Sequence, residues 1–119
     1  MEVRSRADTH AFTTLDGSAI RVLLDAELGN ARNQSLAEAT LAPDQSTRRH
    51  YHAKTEEIYV VLDGEAEMEI DGEWRRVRPG DAILIPPAAR HQIRAEQGSE
   101  LRFLCCCAPP YRDEDTFLE

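Results

Sequence analysis

From residue 34 to residue 107 the chain is a succession of short runs of β-type composition, separated by dipeptides that turn a chain sharply. No helical period long enough to interrupt them is present. The runs are QSLAEATL, TRRHYH, EIYVVL, EAEMEI, EWRRV, DAILI, RHQIRA and LRFLCCC. Asp63-Gly64 and Asp71-Gly72 each lie between two runs, where a type I′ hairpin turn needs positive φ at both central residues. Two successive hairpins predict an antiparallel meander. Pro79-Gly80 supplies a fixed φ followed by a permissive one, the signature of a type II turn leading into DAILIP. The expected class is all-β with antiparallel strands.

A chain of 119 residues fits one domain with a real core. Three stretches are expected within it. Residues 1–33 form an N-terminal arm in which DGSAIRVLLDAEL is either a strand after a turn or a short helix capped by Asp16, contributing to the body or to a dimer. Residues 34–108 form the β-barrel or sandwich. Residues 109–119, APPYRDEDTFLE from Pro109 onward, stop the last strand with two prolines and continue as an acidic surface arm.

Charge and composition exclude several function classes. The net charge of −8 and the lack of a basic face argue against a nucleic-acid partner. The arginines at 48, 49, 75, 76 and 78 read as solvated surface. No stretch approaches the roughly 20 apolar residues of a membrane span. The opening MEVRSRADTH lacks the apolar core of a secretory signal, so the expected location is cytoplasmic. Cys105, Cys106 and Cys107 are consecutive, so on a strand the middle thiol points away from its neighbours and a disulfide framework is not expected. EIYVVL and DAILI are apolar on both faces, which predicts that each face is covered, one by the barrel or sandwich interior and the other by a second sheet, the N-terminal arm or another subunit, and a homodimer is the expected assembly.

The chemistry concentrates around HYH. On a strand, His50 and His52 emerge on one face while Tyr51 points to the other. That pair suits a divalent metal of the Fe, Mn, Co, Ni, Cu or Zn group, and a carboxylate completes such a set while leaving positions open. Glu56 and Glu57 are the nearest carboxylates. His91, after DAILIP and a Pro-rich turn, is placed to enter the same pocket from a neighbouring strand. His10 lies outside and reads as a surface residue.

These residues resemble a known family. His50-x-His52, four residues, Glu57, six residues and Gly64 is similar to the first motif of the cupin superfamily. Gly80, five residues and Pro86, with His91 five further on, is similar to the second. The fifteen residues between Gly64 and Gly80 match the spacing of small single-domain bacterial cupins. The resemblance implies a double-stranded β-helix, or jelly roll, often dimeric, with one divalent transition metal inside held by His50, His52, Glu57 and His91. Iron or manganese is the first expectation, ahead of nickel, zinc, copper and cobalt.

The resemblance further implies a metal-dependent enzyme acting on a small organic substrate. An oxygen-using dioxygenase of diketone, enolate or phenolic compounds stands first. Isomerases, epimerases and lyases are the non-redox alternatives, and a binding or sensing module without turnover is another. Two positions depart from the family pattern. Ala88 stands where glycine is usual and Ala95 where asparagine is usual. Alanine at positive φ costs on the order of 1 kcal/mol, so the turn at Ala88 is expected to take a different shape.

Strand parity assigns the remaining roles. Glu57, Tyr59 and Val61 share a face, which separates Glu57 from a solvent-facing Glu56. Tyr59 is expected to point inward as a catalytic hydroxyl. Arg48 shares a face with His50 on a regular strand, where it either holds an anionic substrate at the mouth or, as the first expectation, is exposed. Phe103 and Cys105 are expected to point inward and line the pocket floor, the cysteine run behaving as small apolar side chains.

Overall fold

The runs of β-type composition become strands. The computed structural model describes residues 1–119 and contains β1 (Phe12–Thr13), β2 (Ala19–Leu24), β3 (Ser35–Leu41), β4 (His50–His52), β5 (Glu56–Asp63), β6 (Ala66–Ile70), β7 (Glu73–Val77), β8 (Ala82–Ile85), β9 (His91–Ala95), β10 (Leu101–Ala108) and β11 (Thr116–Leu118). Two antiparallel sheets result. One has six strands in the order β1-β2-β3-β10-β5-β8, the other five in the order β11-β4-β9-β6-β7. Each sheet turns its apolar face to the other, in the manner of a jelly roll.

Alternation decides which side chains enter the core. In β10, Leu101, Phe103, Cys105 and Cys107 are buried while Cys106 is turned outward. In β5, Glu57, Tyr59 and Val61 are buried while Glu56 and Ile58 are exposed. Phe103, Leu41 and Val61 from the six-stranded sheet meet Ile93, Met68 and Ala66 from the other in one cluster. All three cysteines are free thiols.

The turns divide into two outcomes. Asp71 and Gly72 both have positive φ, at 48° and 92°, and join β6 to β7 as an antiparallel hairpin. Gly80 has φ of 94° and the Asp81 amide donates to the Arg78 carbonyl at 3.0 Å, closing the expected turn at Pro79-Gly80. Asp63-Gly64 is different. β5 and β6 belong to different sheets, so this dipeptide is a crossover between sheets and the expected meander of two hairpins does not form. Glycine is required there for another reason. Its φ is 81°, and a Cβ at this position would overlap the carbonyl oxygen of Glu100.

Ala88 also departs from expectation. It adopts a φ of 69°, its amide donates to the His52 carbonyl at 2.7 Å, and the Ala89 amide donates to the Pro86 carbonyl at 3.2 Å. The turn keeps its positive-φ shape and carries the strain of a Cβ instead of reshaping. Ala95, fully buried on β9, is a small core residue.

The ends of the chain are built in. The segment at residues 19–24 is strand, not helix, because β2 finds a partner in β3. Asp16 caps the preceding turn through Ser18, whose amide donates to it at 2.9 Å. The C-terminal stretch is not a free surface arm, since β11 pairs with β4 from Thr116↔His52 to Leu118↔His50. Asp115 accepts from the Lys54 and Thr55 amides, which ties the tail to the loop after β4. β4 itself is only three residues long. Arg48 lies before it, and its amide is drawn to the Asp16 carbonyl at 2.7 Å.

Candidate metal centre

Parity brings His50 and His52 to the inner face of β4, and β9 delivers His91 directly opposite His50 in the pairing register. The three imidazoles are buried, and one ring nitrogen from each lies within 4.8 Å of the others. The His50 and His91 ring centroids are 4.2 Å apart. Glu57 comes from the facing sheet. Its Oε1 lies 3.2 Å from His52 Nε2 and 3.5 Å from His91 Nε2.

The outer nitrogens fix the tautomers. His50 Nδ1 faces the Arg48 carbonyl at 2.7 Å and His91 Nδ1 faces the Ala89 carbonyl at 3.0 Å. A carbonyl only accepts, so each Nδ1 carries its proton and each Nε2 of the neutral ring presents a lone pair inward. His52 Nδ1 meets Thr116 Oγ1 at 3.1 Å. That hydroxyl already donates its proton to the Arg112 carbonyl at 2.9 Å, so it accepts from His52. All three inward nitrogens are therefore Nε2 atoms gathered around a buried carboxylate, and in the neutral rings each offers a lone pair to a cation.

This arrangement leaves polar atoms unsatisfied. Glu57 Oε1 and His91 Nε2 are buried with no hydrogen-bond partner. Desolvating such groups without compensation is unfavourable by about 1–3 kcal/mol each, and a cation among them removes the penalty. The donor set, three imidazoles and one carboxylate with the outer ring nitrogens already hydrogen-bonded, fits a divalent transition metal.

Electrostatics follow from the same crowding. Burial pushes the His50 imidazole below its ordinary value, and His91 adds to the effect. Burial also works against a charged His52, but the Glu57 carboxylate outweighs it and holds His52 above the ordinary value. Burial alone would raise the Glu57 carboxyl. The His52 and His91 imidazoles, each carrying a proton on Nε2 when no cation lies between them and the carboxylate, reverse this by hydrogen bonding and charge and hold it well below the usual range, so Glu57 is an anion. Its other oxygen, Oε2, accepts a hydrogen bond from the Cys107 thiol at 3.2 Å.

The centre opens into a cavity of about 70 Å³ between the sheets. Tyr59, Phe103 and Cys105 all line it. The Tyr59 ring packs on Phe103 at 4.7 Å and approaches His91 at 6.0 Å. Burial pushes the Tyr59 hydroxyl and the Cys105 and Cys107 thiols up, so all three are neutral. Arg48 is not brought to the site. Its side chain is exposed and does not line the cavity, because the residue precedes β4 and the strand parity that would have aimed it inward does not extend that far. Glu56 and His10 are exposed.

Several lining groups lie outside the sequence expectation, among them Cys107, Ser35, Tyr111 and Asp16. Cys107 shares the parity of Cys105 and was available from the same alternation. Ser35 faces the cavity from the start of β3, and its hydroxyl accepts from the Tyr111 amide at 2.9 Å. Tyr111 arrives from the C-terminal stretch, its ring 5.6 Å from that of His52. Asp16 arrives from the turn between β1 and β2, its Oδ2 3.7 Å from His50 Nε2. Nothing local in DGS marks that carboxylate as facing a histidine 34 residues further along the chain.

Comparison with known proteins agrees with this architecture. The family model described as a cupin domain matches residues 37–107. An uncharacterized protein of Methanocaldococcus jannaschii is 43% identical over 105 residues, covering 88% of this chain and 84% of its own. The crystal structure of a protein from Planctomyces limnophilus superposes with a TM-score of 0.84 at 26% identity, covering 99% of this chain and 96% of that one. The polyketide cyclase RemF from Streptomyces resistomycificus superposes with a TM-score of 0.78 at 27% identity, covering 97% and 89%. Motif spacing, jelly-roll topology and the three converging histidines thus lead to one conclusion, that this chain belongs to the cupin family.

Proposed function

We propose that the protein is a metal-dependent enzyme of cupin type that binds one divalent transition metal through His50, His52, Glu57 and His91 and acts on a small organic substrate. The observation that carries this is the convergence of three inward Nε2 atoms on Glu57 Oε1, with Oε1 and His91 Nε2 buried and lacking a hydrogen-bond partner. Iron or manganese is the preferred ion, with nickel, zinc, copper and cobalt as alternatives. Such an ion supplies Lewis acidity to an oxygen of the substrate.

The chain's own residues do the rest. Phe103, Ile20 and Val22 exclude water from one wall of the cavity, and the Tyr59 hydroxyl, which makes no hydrogen bond within the protein, is available to a substrate oxygen. The reaction class these features favour is carbonyl or enolate chemistry without oxygen, as in a cyclase, isomerase or lyase. Similarity to a polyketide cyclase supports it. A second reading, a dioxygenase, is favoured by the dry apolar wall beside a centre with open positions.

Two measurements test these readings. Protein purified without added metal should carry about one transition metal per chain, and His50→Ala and Glu57→Ala should each lower that content at least tenfold. Unchanged metal content in both variants would overturn the site. Oxygen consumption with diketone and phenolic substrates would then move the assignment to the dioxygenase, whereas turnover under anaerobic conditions keeps it with the non-redox class.

A further inference from the structure

The walls of the cavity contain no lysine or arginine. They contain two carboxylates besides Glu57. Asp25, half-buried in the turn after β2, is held by the Leu28 amide donating to its Oδ1 at 2.7 Å. Asp16 is held more firmly. Its Oδ1 accepts from Thr14 Oγ1 at 2.7 Å, from the Ser18 amide at 2.9 Å and from Ser18 Oγ at 2.6 Å. Its backbone carbonyl accepts from the Arg48 amide, which locks the turn onto the segment carrying His50.

All of that bonding spends Oδ1 and leaves Oδ2 without a hydrogen bond, aimed at the cavity beside His50 Nε2. Serine and threonine thus hold a carboxylate in place while leaving one acceptor for something else. Arg48, the one cation with a possible place at the mouth, is turned to solvent. The whole molecule repels anions as well, with a net charge of −8.

Resting on the metal site proposed above, we infer that this pocket takes a small uncharged or cationic ligand that presents an N–H or O–H donor to Asp16 Oδ2, and that Asp16 discriminates against carboxylate and phosphate anions. Asp16 is a specificity determinant. A negative charge about 5 Å from a bound anion, at an effective dielectric of about 20, changes affinity by more than tenfold. A charged acceptor also strengthens a hydrogen bond from a neutral donor.

Oxalate and oxamide test this, because they share shape and chelating oxygens and differ in charge and in N–H donors. Cobalt(II) stoichiometry is measured first, and both probes are then titrated against the visible spectrum of the cobalt-loaded protein. Asp16→Asn should tighten oxalate at least tenfold and weaken oxamide at least threefold. A loosened fold would move both probes in the same direction, so the opposite signs identify the charge itself. Asp25→Asn, at the mouth, should tighten oxalate by less than Asp16→Asn does. One cobalt per chain with oxalate affinity unchanged within threefold in Asp16→Asn overturns the inference alone. Failure of the wild-type protein to take up one cobalt per chain overturns the metal site and this inference with it.

Discussion

Two residues illustrate how single side chains set stability here. Ala88 holds a φ of 69°, a region where a Cβ is disfavoured. Ala88→Gly should raise stability by about 0.5–1 kcal/mol, the relief of strain exceeding the added freedom of the unfolded chain. Urea denaturation at neutral pH measures it. Glu69 is the second case, a buried carboxylate that accepts from Arg49 Nε at 2.6 Å, from the Gly72 amide at 2.8 Å and from Gln92 Nε2 at 3.0 Å. Burial works to raise its carboxyl, but Arg49, the Gly72 amide and Gln92 together hold it below 4.5, its ordinary value. A depressed carboxyl stabilises the fold above that ordinary value and loses its contribution as pH falls through the folded-state value. Glu69→Gln should therefore cost about 1–3 kcal/mol at pH 7, with the gap to wild type closing as the pH is taken below 4.5. A gap that does not change with pH would show that the charge of Glu69 is not what stabilises the hairpin.

At the scale of elements, the C-terminal strand is the informative piece. β11 adds an edge to the five-stranded sheet and brings Thr116 to the outer nitrogen of His52. An outer hydrogen bond of this kind orients a ligand ring, and losing one typically costs 10- to 100-fold in metal affinity. Thr116→Val should weaken metal binding by about tenfold while circular dichroism stays unchanged. The crossover at Gly64 is a similar case. Gly64→Ala combines a positive φ with an overlap against the Glu100 carbonyl, so it should cost about 2 kcal/mol or more by denaturant titration. By contrast the β6–β7 hairpin turn at Gly72 has open space around it, and only its φ of 92° constrains it.

For the whole molecule, assembly turns on the outer face of the β5–β8 edge. Ile58, Leu62 and Leu84 are 38%, 37% and 56% exposed, on strands whose sequence is apolar on both faces. The proposed cover is a second copy of the chain, because a contiguous apolar edge left in water is unfavourable. Light scattering at micromolar concentration should then give twice 13.4 kDa, and Leu84→Glu should return the monomer. A monomeric wild-type mass would show that this face stays in water.

What could be read from the linear chain follows from local rules. Alternation with period two puts Glu57 on one face with Tyr59, puts Phe103 on one face with Cys105, and separates Glu57 from Glu56, because successive side chains of an extended backbone point to opposite sides. The hairpin at Asp71-Gly72 and the turn at Pro79-Gly80 are legible for the same reason, being fixed by backbone preferences within four residues. The tertiary structure decided everything that depends on which strands meet. It sent β5 and β6 to different sheets, so that an Asp-Gly between strands became a crossover and not a hairpin. It ended β4 short of Arg48, folded the tail back onto His52, and brought Asp16 from the N-terminal turn to within 3.7 Å of His50. Pairing between distant segments is won by burial and hydrogen bonding across the completed sheets, and no local preference in DGS or TFL records it.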